Sequence, residues 1–160
     1  MEQPYEEYFA SLIRQLNAEE EAVRLKAGDL LTVSGPPSSA EARRAGITVL
    51  VRMGAIQTLG QLGDRRAFEA LLPLLQEPQR ELRLTAAVAL GELGDERALD
   101  PLLHLLAAAD GTLRADGARG LGRLGEQRAC APLYQRLLDE EAPVREAAVG
   151  HSLTASMTDP

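Results

Sequence analysis

Two arginines are the strongest candidates for binding chemistry in this sequence. Arg119 and Arg123 are four positions apart, which places both guanidinium groups on one face of a helix. Guanidinium groups bind carboxylates through paired, charge-assisted hydrogen bonds. The spacing therefore predicts a site for a carboxylate or an acidic peptide. The alternative is that both arginines are solvated surface residues that pair with Glu92 or Glu126.

Residue types that support catalysis do not come together in a recognisable pattern. Cys130 occupies an apolar position of the repeat described below, so we interpret it as a small core residue rather than a nucleophile. His104 and His151 are 47 positions apart, and neither has a spaced partner that would complete a metal site. We predict no catalytic residues, no metal and no cofactor.

An internal repeat defines the elements that must position these arginines. Residues 59–64, Leu-Gly-Gln-Leu-Gly-Asp, return as Leu-Gly-Glu-Leu-Gly-Asp at 90–95 and as Leu-Gly-Arg-Leu-Gly-Glu at 121–126, each time after 31 positions. A fixed period of this length is typical of arrays in which each unit buries its apolar face against its neighbours. The array therefore sets the position of every candidate side chain.

Each unit has the apolar pattern of two helices. In the first, helix A, apolar residues at 67, 68, 71, 72, 74 and 75 recur 31 positions later, with helical period. A polar turn with Pro78 or Gly111 as its breaker follows. Helix B then covers 82–93, and its expected buried face consists of Leu82, Ala86, Ala89, Leu90 and Leu93.

The two glycines of the repeated hexapeptide have different predicted roles. The second glycine adopts the left-handed conformation that ends helix B, and the acidic residue after it caps the next helix, with Glu126 the weakest cap. These glycines are Gly63, Gly94 and Gly125. The first glycine lies inside helix B, where we expect close approach of a neighbouring helix. These are Gly60, Gly91 and Gly122.

The register extends in both directions with decreasing regularity. It predicts one domain over 1–160, with units at about 4–35, 36–64, 65–95, 96–126 and 127–157, the last a degenerate cap. The second unit is irregular because prolines and glycine cluster at 35–39. Its helix A is either short or fused into one long helix over 40–62.

Composition and charge argue against several classes of protein. The chain of 160 residues has a net charge of −7 and one cysteine, so it has no basic surface for a phosphate backbone and no internal disulfide. No apolar run reaches the about 18 residues of a membrane span, and the first residues lack the pattern of a secretory signal. We expect a cytoplasmic protein that binds neither nucleic acid nor membrane.

The Ala-rich helix B, with an arginine at its entry and the ending Ala-Leu-Gly-x-Leu-Gly-Asp, resembles HEAT repeats. This resemblance is strong over 52–149. More narrowly, residues 83–95 and their copies resemble the short HEAT-like repeats of phycobilisome bilin lyase subunits. The resemblance implies an all-α fold, a right-handed α-solenoid of stacked antiparallel helix pairs of about 31 residues.

The resemblance also implies that the B helices line the concave surface, where residues that vary between units would select a partner. These residues are Gln57, Gln61, Val88, Glu92, Arg119, Arg123 and His151. The predicted function is a non-catalytic, protein-binding scaffold or adaptor. The alternative is a subunit or chaperone of a phycobiliprotein bilin lyase, acting with a partner chain and binding the propionates of a linear tetrapyrrole. The oligomeric state stays open.

Two further series of arginines have a structural interpretation. The first, at the entry of helix B, is expected to bind turn to helix and unit to unit through acidic turn residues. Its members are Arg52, Arg83, Arg114 and Arg145. The second, in the first turn of helix A, is expected to pair with the preceding cap residue. Its members are Arg66, Arg97 and Arg128.

The aromatic residues are expected to serve packing. Tyr134 matches Leu72 and Leu103 in register, so we predict that it lies mostly in the core. Three aromatic residues at helical spacing in the first helix are predicted to pack or cap, with a partner groove as the alternative. They are Tyr5, Tyr8 and Phe9. His104 is expected to point outward.

Overall fold

A computed structural model describes the backbone of residues 4–16 and 39–155, and the side chains of 4–16 and 49–150. In these ranges the regular elements are helices. They are α1 (4–16), α2 (Ser39–Leu62), α3 (Phe68–Leu71), α4 (Arg80–Glu92), α5 (Leu99–Leu106), α6 (Gly111–Leu124), α7 (Cys130–Gln135) and α8 (Ala142–Ala155). This confirms the predicted all-α fold.

The A helices are short and are bordered by 3-10 turns. Such a turn precedes each of α3, α5 and α7, at Arg65–Ala67, Glu96–Ala98 and Gln127–Ala129. A further 3-10 segment, Leu72–Gln76, extends α3, and it has Pro73 in its first turn, where a missing backbone donor costs little. A short helix A therefore follows from the sequence itself.

The B helices form one layer, in which α2 packs on α4, α4 on α6 and α6 on α8. The A helices form the second layer, where α5 packs against α6 and the segment after α3 packs against α4. The fold is thus an α-solenoid of stacked helix pairs. No helix in the described part of the chain is long and apolar enough to cross a membrane.

The predicted core faces are buried. On α4 and at its end, Leu82, Ala86, Ala89, Leu90 and Leu93 are at most 4% exposed. On the A helices the predicted apolar positions are buried except Leu72 and Leu103, which are partly buried against the core. Small residues at the B-helix contacts let the layers pack closely, as the Ala-rich composition of helix B indicates.

The predicted helix ends are confirmed by the backbone. Gly63, Gly94 and Gly125 have φ values of 66°, 65° and 68°, in the left-handed region that favours glycine. The Asp64 carboxylate accepts a hydrogen bond from the backbone N–H of Arg66, and Asp95 accepts one from that of Arg97. Glu126 makes no side-chain capping hydrogen bond, consistent with its weaker predicted cap.

The close helix approaches are confirmed at two of the three predicted glycines. A Cβ on Gly60 would lie 2.7 Å from the Ala89 Cα. A Cβ on Gly91 would overlap with the Gly120 carbonyl oxygen and lie 2.7 Å from the Arg123 Cβ. Neither position can hold a larger side chain without separating the helices. The corresponding role of Gly122 stays a prediction.

The second unit takes the fused form, because α2 runs without interruption from Ser39 to Leu62. The unit boundaries proposed from the sequence stay a prediction. The part of the first unit that falls within 17–38, and the last residues of the fifth unit after 155, lie outside the described residues.

Tyr134 corrects one prediction, because its side chain is 55% exposed rather than buried in the core. Helix α7 is the last described helix A, so its outer face has no described helix A beside it. Cys130, at the position of Phe68 and Leu99, is likewise only partly buried. His104 is exposed, as predicted.

The first helix divides its aromatic residues between the core and the surface. Phe9 is buried, at 9% exposure, whereas Tyr5 and Tyr8 are exposed. Phe9 therefore has the packing role predicted for all three aromatic residues. The prediction of a packing role is wrong for Tyr8, which is 49% exposed.

Candidate functional site

The arginines at the entry of helix B hold turns and helices together, as predicted. Arg52 pairs with Glu77 through an Nη2–Oε1 distance of 2.6 Å. Arg114 donates from Nε and Nη2 to the two carboxylate oxygens of Asp139, each at 2.9 Å. Arg145 donates to the carbonyl oxygens of Asp139 and Glu140. These contacts belong to the scaffold and leave few donors for a partner.

Arg83 differs from the rest of this series, because its partner was not anticipated from the sequence. Its Nε donates to Asp116 Oδ2 at 3.0 Å, and Asp116 is completely buried within α6. Asp116 Oδ1 has no hydrogen-bond partner. Burial raises the pKa of Asp116, and the hydrogen bond from Arg83 opposes this only in part.

A signal for Asp116 was present in the register. The aspartate occupies a middle position of helix B that is Gly54, Thr85 and Ala147 in the other units. A carboxylate at a position otherwise taken by small residues indicates a buried ion pair, since an unpaired buried charge is costly. The acidic turn residues lie closer to Arg83 in the sequence, so the sequence favours them as its partners.

The second arginine series pairs with the cap residues and stacks on the preceding unit. Arg66 Nη2 lies 2.6 Å from Asp64 Oδ2, and its guanidinium lies 4.8 Å from the ring centroid of Phe9. The hydrogen bond from Arg66 lowers the pKa of Asp64 to about 2. Arg97 repeats this arrangement with Asp95 and with the Phe68 ring at 4.3 Å.

Arg128 does not follow the other two members of this series. Among the described residues it forms no ion pair, and it is exposed. Its expected partner Glu126 is a longer side chain than aspartate and makes no cap hydrogen bond. The predicted pairing is therefore confirmed for Arg66 and Arg97 and wrong for Arg128.

A groove lies on the exposed face of the B helices, between α6 and α8. We call it the α6–α8 groove. Its volume is about 490 Å³, within the range of small ligand sites. It is lined by Val88, Arg119, Gly122, Arg123, Glu146, Ala147 and Gly150.

The groove brings together three of the side chains predicted to select a partner. Arg119 and Arg123, one helical turn apart on α6, both line it, and Val88 of α4 adjoins them. Arg123 is largely exposed, and its Nη1 lies 3.7 Å from Glu92 Oε1, which makes a weak surface pair. Arg119 is partly buried, and no described residue accepts a hydrogen bond from its guanidinium.

The groove exists because α8 has small residues where α6 has long ones. In the 31-residue register, Ala147 occupies the position of Asp116, and Gly150 that of Arg119. At the contact between α4 and α6, Asp116 is buried and accepts a hydrogen bond from Arg83 of α4. The contact between α6 and α8 has no side-chain atom beyond Cβ at either position, so space remains above the helix contact.

The remaining predicted residues are distributed differently. Gln57 and Gln61 are exposed on α2 and do not line the groove. The side chain of His151 lies outside the described residues. Sequence reasoning missed Glu146 and Gly150, although the register could have found them. Gly150 breaks the series Gln57, Val88 and Arg119, in which every earlier member has a side chain.

The chemistry that this arrangement allows is binding. The charged groups of the groove are the guanidinium groups of Arg119 and Arg123 and the carboxylate of Glu146. Within the described ranges, no three His, Cys, Asp or Glu side chains converge as metal ligands. Guanidinium donors beside an apolar valine suit recognition of a carboxylate held on an apolar or backbone surface.

The stacked helix pairs and the exposed B-helix face define an α-solenoid protein. A family model for HEAT repeats matches residues 48–120 and 69–154, which together cover more than half of the chain. The chain therefore belongs to the HEAT repeat family, which confirms the broader resemblance and favours a role in protein interaction. No curated protein gives a match to the chain.

Proposed function

We propose that this protein is a non-catalytic scaffold that binds a protein partner on the exposed faces of its B helices. The observation that carries the proposal is the environment of the Arg119 side chain, namely its exposure and its hydrogen-bond partners. The residue is only partly exposed, its side chain lines the α6–α8 groove, and no described residue accepts a hydrogen bond from it. Because a guanidinium without an acceptor can form charge-assisted hydrogen bonds with an incoming carboxylate, Arg119 is suited to a carboxylate from outside.

The scaffold would act by holding its contact residues in fixed positions before the partner arrives. Close backbone contact at Gly91 fixes α4 against α6, and the Arg114–Asp139 pair fixes the turn before α8 against α6. Little conformational entropy is then lost on binding. This rigidity supports recognition by position rather than by folding on contact.

The proposed contact surface extends along neighbouring B helices. The proposed place of action is the cytoplasm. It comprises the residues that vary between units on this face, which are Gln57, Gln61, Val88, Glu92, Arg119, Arg123 and His151. The two glutamines would contact a second part of the partner, since they lie on α2 and outside the groove.

Charge reversal of the groove arginines tests the proposal. The variant Arg119→Glu/Arg123→Glu should lose the partner that the wild-type protein captures from an extract of its own cells, as measured by quantitative mass spectrometry. Its melting temperature should change far less than that of a core variant, because the described ion pair that it breaks lies at the surface. The buried Asp116, on which the Arg119 charge also acts, keeps its hydrogen bond from Arg83.

A matched control is available on the other layer of the solenoid. The variant Arg65→Glu/Arg128→Glu makes the same change of charge at two exposed arginines outside the groove. It should retain the partner. Equal loss in both variants would mean that net charge governs capture, and a large fall in the stability of the groove variant would place its arginines in the scaffold. Either result rejects the proposal.

A second candidate function is assistance to a bilin lyase, as the narrower resemblance implies. The observation that favours it is again Arg119, whose free donors beside Val88 would suit a propionate attached to a flat apolar pigment. Visible absorbance after mixing with a linear tetrapyrrole tests this candidate. An unchanged spectrum, with and without phycobiliprotein chains, would reject it.

A further inference from the structure

One contact between B helices in this solenoid shows which side chains can occupy the corresponding place in the next contact. Between α4 and α6, the carboxylate of Asp116 accepts a hydrogen bond from Arg83. The residue that corresponds to Asp116 in the next unit is Ala147. Between α6 and α8, the corresponding arginine, Arg114, is directed to Asp139 instead. The second contact therefore lacks both the carboxylate and the arginine that would bind it from the preceding helix.

Arg119 supplies a free cation at this second contact. The charges of Arg80 and Arg119 also act on Asp116, but Arg83 already forms the hydrogen bond to that carboxylate. One buried aspartate thus lies within the influence of three arginines. Arg119 is not the hydrogen-bond donor to that aspartate, and its side chain lines the groove.

We infer that the α6–α8 groove binds the carboxylate of a single Asp or Glu side chain from the partner protein, with Arg119 as its main donor. The acidic side chain passes over Gly122 and Gly150, which line the groove and have no side chains of their own, and occupies the place that Asp116 has one unit earlier. This inference rests on the proposed function and adds the chemical class of the residue that is bound.

Glu146 limits what can stand next to that carboxylate. It is an exposed residue of α8 that lines the same groove as Arg119, and no described residue forms an ion pair with it. With two guanidinium groups and one carboxylate lining the groove, one acidic residue from the partner balances the charge, and a second one would add an uncompensated negative charge. The site therefore selects one acidic residue flanked by neutral or basic residues rather than a run of acids.

A displayed library of random twelve-residue peptides provides the probe. Selection on the wild-type protein should yield peptides with one shared Asp or Glu, and soluble copies should bind about 10-fold to about 100-fold more weakly when that residue becomes Asn or Gln. Arg119→Gln should weaken binding by a similar factor. Glu146→Gln should enrich peptides that carry a second acidic residue.

The groove itself is tested by filling it. Gly150→Leu places a side chain in the groove, and a Cβ at this position meets no atom within 4 Å, so the helix should still fold. Its matched control is Gly54→Leu, an exposed α2 position with the same open surroundings. Selected peptides should lose at least about 10-fold in affinity for the first variant and bind the second like wild type.

The outcomes separate this inference from the proposed function. Peptides that share no acidic residue, or that bind the Gly150→Leu variant normally, overturn the inference. If those same peptides are displaced by the natural partner, the proposed scaffold function still stands. A library that yields no binder to the wild-type protein overturns the inference as well, while loss of partner capture by the charge-reversed variant supports the function independently.

Discussion

Two neighbouring helix contacts of this solenoid share one register but have different structures. At the α4–α6 contact, Gly91 packs directly against the backbone of Gly120, and the buried Asp116 accepts a hydrogen bond from Arg83. At the α6–α8 contact, Ala147 and Gly150 line a surface groove of about 490 Å³. The two pairs of helices pack against each other to a similar extent, so the side chains at two positions, and not the separation of the helices, distinguish the two contacts.

The same two contacts treat a carboxylate in opposite ways. Asp139 receives two hydrogen bonds from Arg114, and these lower its pKa. Asp116 receives one from Arg83, and burial raises its pKa. In the Arg114 pair, two hydrogen bonds therefore compensate the burial of the carboxylate, while in the Arg83 pair the single hydrogen bond compensates it only in part. Stability should depend more strongly on keeping the second pair intact.

The largest expected effect is the removal of Arg83. Arg83→Met leaves the completely buried Asp116 without its hydrogen-bond donor, which should lower the free energy of unfolding by about 3–5 kcal/mol. Urea denaturation measures the loss. Arg145→Met is the control, because that exposed arginine bonds carbonyl oxygens and not a buried charge.

A double variant separates the cost of the orphaned charge from the loss of packing. Arg83→Met/Asp116→Ala adopts the residue that α8 has in this register and should recover most of the lost stability. If the double variant is no more stable than Arg83→Met, the Asp116 charge is not the cause. The closed contact would then depend on the arginine stem rather than on the pair.

The next effect concerns the closed backbone contact itself. Gly91→Val places a Cβ into the Gly120 carbonyl oxygen and should lower the free energy of unfolding by about 3 kcal/mol, since the two helices must separate. Gly54→Val is the control, at a helix position with no atom within 4 Å of its Cβ. Equal stability of both variants would show that α4 and α6 can move apart without a loss in the free energy of unfolding.

Most of the repeat framework in which the two helix contacts lie could be predicted from the sequence. The hexapeptide fixed the register, and the register placed the helix-ending glycines, the close approach at Gly91 and the buried face of α4 correctly. These features depend on local backbone conformation and on helical period, which a sequence displays directly. The fused α2 was one of two stated possibilities.

The features that could not be predicted depend on what lies across a helix contact. Asp116 was missed because its partner Arg83 comes from another helix, and the acidic turn residues were nearer in sequence. Tyr134 was placed in the core because its register equivalents are apolar, although burial also requires a neighbour. The α6–α8 groove was missed because it arises from absent side chains at Ala147 and Gly150.

The two carboxylates should give opposite pH dependence. The lowered pKa of Asp139 means that its contribution is present above the unfolded value of about 3.9 and is lost as the pH falls through the folded value. Asp139→Asn should therefore cost about 2 kcal/mol at pH 7 and progressively less as the pH falls below about 3.9. Denaturation at several pH values measures the difference.

For Asp116 the contribution to stability changes with pH in the opposite direction. Its raised pKa means that the native state binds the proton more tightly, so its contribution falls as the pH rises from about 3.9 through the folded value. Asp116→Asn should change stability at pH 7 by less than about 1 kcal/mol, because an amide keeps an acceptor for Arg83. A larger loss than in Asp139→Asn would show that the charged form of Asp116 stabilises the folded protein, against the raised pKa.

The smallest expected effect is a gain in stability at the open contact. Gly150→Ala adds one methyl group within α8 where no atom lies within 4 Å, and alanine favours a helix over glycine by about 1 kcal/mol. Thermal and urea unfolding should show a gain of up to that size, as for Gly54→Ala. Gly91→Ala has the same helix preference but should show a loss, because its methyl group meets the Gly120 backbone. A loss of stability in Gly150→Ala would mean that the added methyl group meets neighbouring atoms, and that the groove is closed in solution.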